Sequence, residues 1–313
     1  MAAEPEEPQA PAPTPAPGPD PEIAAEASAV DSIFIADGER FMPTEQARGP
    51  WDPRALHGGA PAALITSAFE RLQPGAELRI GRLGFEFLRP IPVAPLTLTT
   101  RIARPGRRVQ ELSAELLAGD EPVVRASALR VQAVPGEAEA AAAQAASGPE
   151  AGAVAGAGEP APAGAIAAAD ETMPPPAQGQ RRRFALNDSS DASFAGTAME
   201  MRWLNDPWRL GPGRVWQRLL HPLLPGEQLS SLTRLAATAD FCNGVSAALP
   251  FDRFVFINAD LSIHLQRLPE GEWIGLDART RLHEGGAALA EGVLHDERGA
   301  LGRAFQTLVV QPR

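Results

Sequence analysis

The residues able to do chemistry are few. A single cysteine, Cys242, stands two residues after Asp240 in the run Ala239-Asp240-Phe241-Cys242-Asn243-Gly244. An Asp just before an apolar-periodic segment is a common helix N-cap, and the same carboxylate can act as a general base. A thiol at a helix start can become a nucleophile, but nothing near Cys242 in sequence supplies a base or an orienting partner, so it reads as a small buried residue. Backbone N–H groups at a helix start around Asn243 and Gly244 would lack intrahelical partners and could meet a developing negative charge. His57 precedes Gly58 and Gly59, where glycine lets a ligand or another chain segment approach the backbone. Substrate contact and helix packing both account for that pattern. His221, His264, His283 and His295 show no metal-ligand spacing, and no metal site is expected. Asn258 and Gln306, taken singly, read as solvated strand residues. The chain has no G-x-S-x-G elbow, no P-loop and no G-x-G-x-x-G fingerprint in a strand–turn–helix setting, which argues against an α/β-hydrolase serine and against a resident nucleotide; no cofactor is expected.

The elements that must position these residues begin with composition. The 313 residues can hold two domains, and 44% hydrophobic content is enough for a core in each. One cysteine excludes an intrachain disulfide and fits a reducing compartment, so a cytoplasmic location is expected. The Pro- and Ala-rich start, MAAEPEEPQAPAPTPAPGPDPE, has neither the basic nor the apolar region of a signal peptide, and no uninterrupted apolar run is long enough for a membrane span. The net charge of −11 misleads: residues 1–30 and 136–180 each hold six acidic and no basic residues, leaving 28 basic against 27 acidic elsewhere. That balance offers no field for nucleic acid. Every basic residue is arginine, and the Arg181-Arg182-Arg183 run reads as a solvated charge cluster. Residues 1–30 and 136–180 lack apolar periodicity and are expected to be a disordered tail and an interdomain linker.

Two blocks remain, 31–135 and 181–313, and they repeat each other. His57 to Leu64 (HGGAPAAL) is matched with Cys242 to Leu249 (CNGVSAAL), and Phe85 to Pro90 (FEFLRP) with Ile263 to Pro269 (IHLQRLP). Arg89 and Arg267, Arg101 and Arg279, Arg125 and Arg303, and Val131 and Val309 share one offset of 178 residues. Each block reads as a helix followed by strands. From Ile257 to Leu265 the alternation is strict, with Ile, Ala, Leu, Ile and Leu on one face and Asn258, Asp260, Ser262 and His264 on the other. Turn signals at Pro105-Gly106, Gly119-Asp120, Gly285-Gly286 and Arg298-Gly299 predict antiparallel hairpins. The fold class is therefore α+β, with one long helix between the first and second strands of each block covering the apolar face of a sheet.

A helix with a small-residue start wrapped by a curved antiparallel sheet resembles the hotdog fold. The segments AATADFCNGVS (Ala236 to Ser246), FINADLSIHLQRLPEGEWIGLDARTRL (Phe256 to Leu282) and LHDERGALGRAFQTLVVQPR (Leu294 to Arg313) resemble the TesB-type double-hotdog acyl-CoA thioesterases. The resemblance implies a tandem hotdog, acyl-CoA as substrate and a homo-oligomer. It also implies that Asp240, Asn258 and Gln306 hold a water against the thioester carbonyl, with Asn258 standing where the family usually has Thr. An amide can still donate to and accept from a water. Under that reading Asp240 is the base or an ionised anchor, Asn258 and Gln306 orient the water, and His57, Gly58, Gly59, Asn243 and Gly244 contact substrate. Two alternatives are a non-catalytic acyl-CoA-binding protein and an enoyl-CoA hydratase. The hydratase motif needs a His soon after its Asp, and the first after Asp240 is His264.

Overall fold

The computed structural model describes residues 31–72, 77–133, 172–184 and 192–313. The tail up to residue 30 and most of the 136–180 segment lie outside the described residues. Residues 172–180 lie against the C-terminal half, where Pro176 is buried and Trp216 Nε1 donates to the Pro174 carbonyl at 2.7 Å.

In the N-terminal half, β1 (Phe34–Asp37) and β2 (Arg40–Pro43) precede a helix, α1 (Gly59–Arg71), and four strands follow. These are β3 (Leu78–Phe87), β4 (Leu96–Arg104), β5 (Val109–Ala118) and β6 (Glu121–Gln132). The C-terminal half opens with β7 (Gln180–Arg181), β8 (Met199–Trp203) and β9 (Gly213–Leu219), followed by α2 (Ser231–Ala239) and a single turn, α3 (Cys242–Val245). It closes with β10 (Phe254–Asn258), β11 (Asp260–Leu265), β12 (Ile274–Leu282), β13 (Ala287–Asp296) and β14 (Gly299–Pro312). The starts of β4, β5 and β6 recur as those of β12, β13 and β14 at the 178-residue offset. All pairings are antiparallel, and one sheet runs β1-β2-β4-β5-β6-β3-β11-β14-β13-β12-β9-β8-β7, with β10 on β14. The halves join edge to edge where β3 pairs β11, Leu83 facing Ile263, which removes two exposed edges at once. This is a tandem hotdog.

Three expectations need correction. The helices lie after the second or third strand of each half, because short strands precede them. The second helix is not continuous: Asp240 and Phe241 interrupt it. HGGAPAAL and CNGVSAAL are not equivalent, since the first opens α1 whereas the second closes the helical stretch of the other half. The strand registers, which pair over long stretches, carry the true repeat.

The helices are buried nearly all round, which suits an element clasped by sheet on one side and helix on the other. In α1, Gly59 through Thr66 are all buried. Its last turn is capped by Arg130, which is 4% exposed and donates to the Phe69 carbonyl at 2.5 Å and the Leu72 carbonyl at 2.8 Å. The N-cap of α2 is Ser230, whose Oγ accepts from Thr233 N at 2.9 Å and donates to Glu70 Oε2 at 2.6 Å. At the other end, a Cβ on Gly59 would lie 2.5 Å from the Ala237 carbonyl oxygen. The two helices therefore lie side by side and antiparallel, with the start of α1 against the end of α2.

Candidate active site

That crossing explains the HGG run. A Cβ on Gly58 would lie 2.8 Å from Asp240 Oδ2 and 3.0 Å from Phe87 Cζ, so a side chain there would occupy the space of the carboxylate. Gly58 and Gly59 are packing glycines at a helix–helix contact, and His57 is carried with them to Asp240. Its Nδ1 lies 3.0 Å from Asp240 Oδ2, with the two side chains 10% and 4% exposed. The imidazole is held between Phe241, at a centroid distance of 4.3 Å, and Phe194, at 5.0 Å. Neither phenylalanine stands out in sequence, because Phe194 comes from a distant turn, 194–198.

Asp240 is not the N-cap of its helix. It is the C-terminal cap residue of α2, where a negative charge faces the negative end of the helix dipole, at a cost of about 0.3–1 kcal/mol. Its carboxylate lies instead at the start of α1, where the positive end of the helix dipole favours it. Asn258 Nδ2 donates to Oδ1 at 2.5 Å and Gln306 Nε2 donates to the same oxygen at 3.1 Å. The structure thus brings Asp240, Asn258 and Gln306 together and adds His57.

Asn258 reaches Asp240 because the strand expected over 257–265 is broken. Across β10 the register pairs Asn258 with Leu308, but across β11 it pairs Ser262 with Phe305, so one extra residue intervenes on the β10–β11 side. A bulge of this kind reverses which face a side chain points to. Asn258 turns inward with Phe256, which is 1% exposed, while Ile257 is 47% exposed, contrary to the strict alternation read from sequence.

Gln306 is fully buried and uses both ends of its amide. Nε2 also donates to the Asp240 carbonyl at 3.0 Å, and Oε1 accepts from Asn243 N at 3.0 Å. It clamps the break between α2 and α3. The Asn243 amide is therefore engaged, which corrects its expected place as an oxyanion donor. Gly244 faces Phe184, whose nearest carbon would be 3.7 Å from an added Cβ, and Asn243, Gly244 and Asn258 are half-buried, leaving the cluster open on their side.

A proton must sit at the junction of His57 and Asp240. Gly59 N donates to His57 Nδ1 at 3.0 Å, yet the same nitrogen faces Asp240 Oδ2. One nitrogen cannot be acceptor and donor together. Either Nδ1 carries the proton and gives it to the carboxylate, or Oδ2 carries it and gives it to Nδ1. The pair is built to share one proton.

Cys242 is fully buried, and burial followed by the Asp240 charge pushes its thiol up, well away from nucleophilic range. Gly292 is held against it: an added Cβ there would lie 2.8 Å from Sγ. The run at 181–183 is structural in part, with Arg183 donating to the Gly196 carbonyl at 2.8 Å and Arg181 4.0 Å from Glu200. A cleft of about 590 Å³ on the outer sheet face is lined by Arg82, Arg101, Arg125, Glu86, Glu115 and Asp260, and none of the four site residues lines it. Among the described residues no helix is long and apolar enough to cross a membrane.

Comparison with known proteins bears on the fold and the family. A hotdog-fold protein of Alicyclobacillus acidocaldarius, described as of unknown function, is 17% identical, with a TM-score of 0.61 over 90% of this chain and 97% of its own. An acyl-CoA thioesterase II, TesB2, of Mycobacterium marinum is 14% identical, with a TM-score of 0.53 over 93% and 98%. A tesB protein of Mycobacterium avium subsp. paratuberculosis is also 14% identical, at 0.53 over 89% and 96%. At these identities the likeness speaks to the fold. No curated protein sequence matches significantly. The family model for the acyl-CoA thioesterase N-terminal domain matches residues 47–131, and the model for the acyl-CoA thioesterase C-terminal domain matches residues 167–310. Matched in order and spanning well over half of its length, the two domains show that this chain belongs to the acyl-CoA thioesterase family, and it is a thioester hydrolase.

Proposed function

We propose that the protein hydrolyses acyl-CoA to free acid and CoA by direct attack of a water activated at Asp240, without a covalent intermediate. The convergence of Asn258, Gln306 and His57 on one buried carboxylate carries this reading. Asn258 spends its Nδ2 on Asp240, and its side-chain oxygen accepts from the water, so it orients the nucleophile. Gln306 spends both ends of its amide on the helix break and acts by positioning Asp240. Asp240 takes the water's proton as the water oxygen bonds to the thioester carbon. The Gly244 N–H, in the first turn of α3, meets the oxyanion. Collapse breaks the C–S bond, and the proton held between Asp240 and His57 goes to the departing thiolate. Atoms and charge balance with no other reactant.

The division into hotdog units at 31–135 and 181–313, with a cytoplasmic homo-oligomer as the working form, belongs to the same reading; the strand recurrence supports two units. A panel of short-, medium- and long-chain acyl-CoAs, with thiol release as readout, tests the activity. Hydrolysis of at least one chain-length class is expected. Tight acyl-CoA binding with no turnover across the panel would overturn it in favour of a binding protein.

A further inference from the structure

Each of the four site residues continues, along its own chain segment, to one aromatic and cationic rim. His57 follows the loop bearing Trp51, which is closed at its base by His57 N donating to the Ala47 carbonyl and Gly49 N to the Ala55 carbonyl. Asp240 leads through α3 to Phe251. Asn258 is the last residue of β10, and Arg253 immediately precedes that strand. Gln306 lies in β14, which runs out to Arg313. These ends meet: Trp51 and Phe251 have centroids 5.5 Å apart, the Arg313 guanidinium lies 5.8 Å from the Trp51 ring, and Arg313 N donates to the Arg253 carbonyl at 3.0 Å. Phe184 joins Phe251 at 6.2 Å and stacks on Trp208, which is 58% exposed.

The composition of the rim is that of a nucleotide platform. Flat aromatic faces take a purine by stacking, and arginine takes phosphate by charge-assisted hydrogen bonds. Arg253 and Arg313 are exposed and form no ion pair with any described carboxylate, whereas the nearby Asp52 is engaged by Arg54 at 2.9 Å. The spacing also fits. Five residue steps of extended chain separate Arg253 from Asn258, roughly 17 Å at the usual strand rise. That is a span an extended pantetheine arm covers.

We infer that the rim formed by Trp51, Phe251, Arg253 and Arg313 docks the phosphoadenosine diphosphate end of acyl-CoA while the thioester reaches Asp240. This rests on the thioesterase reading for its orientation. Losing both arginines removes phosphate contacts that only the full coenzyme makes, each worth roughly tenfold in affinity.

The test compares wild type with Arg253→Ala/Arg313→Ala on an acyl-CoA and on the matching S-acyl pantetheine, which lacks the nucleotide. The expected result is a KM for acyl-CoA raised tenfold or more, with kcat retained and kcat/KM for the pantetheine thioester unchanged. Calorimetric titration with free CoA, which needs no turnover, should show the same loss, and Trp51→Ala a smaller one. An unchanged KM, or an equal decline on both substrates, overturns the rim. If wild type hydrolyses neither substrate, the thioesterase reading fails and the titration judges the rim alone: weaker CoA binding by the variant supports it, and equal or absent binding by both proteins overturns it.

Discussion

Replacing Asp240 separates chemistry from architecture, because its neighbours treat its two oxygens differently. Oδ1 accepts from Asn258 and Gln306, and an asparagine can place its amide oxygen there and keep both bonds. Its amide nitrogen then takes the position of Oδ2 and can donate to His57 Nδ1. Asp240→Asn thus loses only the favourable charge at the start of α1, about 1 kcal/mol or less. Under the proposed mechanism the general base is lost entirely, so kcat should fall by about 10²–10⁴-fold, equivalent to roughly 3–5 kcal/mol in the barrier. Asp240→Ala should be as inactive but also less stable by about 1–3 kcal/mol, since it strips an acceptor from the Asn258 and Gln306 donors. Thiol release and thermal melts on the same preparations measure both. Full activity in Asp240→Asn would refute Asp240 as the base; a melt as depressed as that of Asp240→Ala would refute the argument that the amide is accommodated.

The remaining predictions concern what holds the site in place. Gly59→Ala should lower stability by about 1–3 kcal/mol and activity with it, because its Cβ would drive α1 off the Ala237 carbonyl, whereas Gly244→Ala should leave the melting temperature nearly unchanged. Arg130→Met should cost about 2–3 kcal/mol in denaturant titration, since the Leu72 carbonyl loses its guanidinium donor and the Phe69 carbonyl keeps only the Leu72 N–H. Burial works against ionisation of Asp296, but hydrogen bonds from Arg267 and from the Glu270 and Arg298 amides outweigh it and hold the carboxyl below its ordinary 3.8. The unfolded chain therefore binds the proton more readily, so the stability this carboxylate contributes is complete above 3.8 and drains away as the pH falls from there through the lower folded value. Melts of wild type and Asp296→Asn should differ most at neutral pH and converge in acid; a gap that widens in acid would contradict the sign.

The strands were legible because their signals are local. Period-two alternation and turn residues such as Gly119-Asp120 and Gly285-Gly286 mark hairpins wherever they occur, and arginines at a constant offset preserve the register of the duplication. What escaped reading depends on contacts remote in sequence. The bulge after Asn258 follows from how β10 and β11 must register on one strand, β14, and no residue type announces it. The break at Asp240 is stabilised by Gln306, 66 residues away. HGGAPAAL and CNGVSAAL look alike because both pack small residues near the same helix crossing, although one starts a helix and the other ends one. Gly58 is explained only by the carboxylate that fills its missing side chain.

The same geometry decides how many centres a chain can hold. At the 178-residue offset that relates the strands, Asn258 corresponds to Ile80 and Gln306 to Ala128, and both are buried apolar residues. Neither can orient a water or clamp a helix break, so the first half cannot repeat the proposed chemistry. Yet it is not a passive copy. His57 comes from the first half and Asp240 from the second, and they meet only because α1 and α2 lie antiparallel while β3 pairs β11. Under the proposed mechanism the duplication divides the work: one half carries Asn258 and Gln306 on its strands, while the other contributes the helix start that receives the carboxylate and the imidazole that meets it. A half expressed alone would lack one member of that pair and expose an unpaired strand edge, so activity should require both halves in contact, whether in one chain or reconstituted from two fragments.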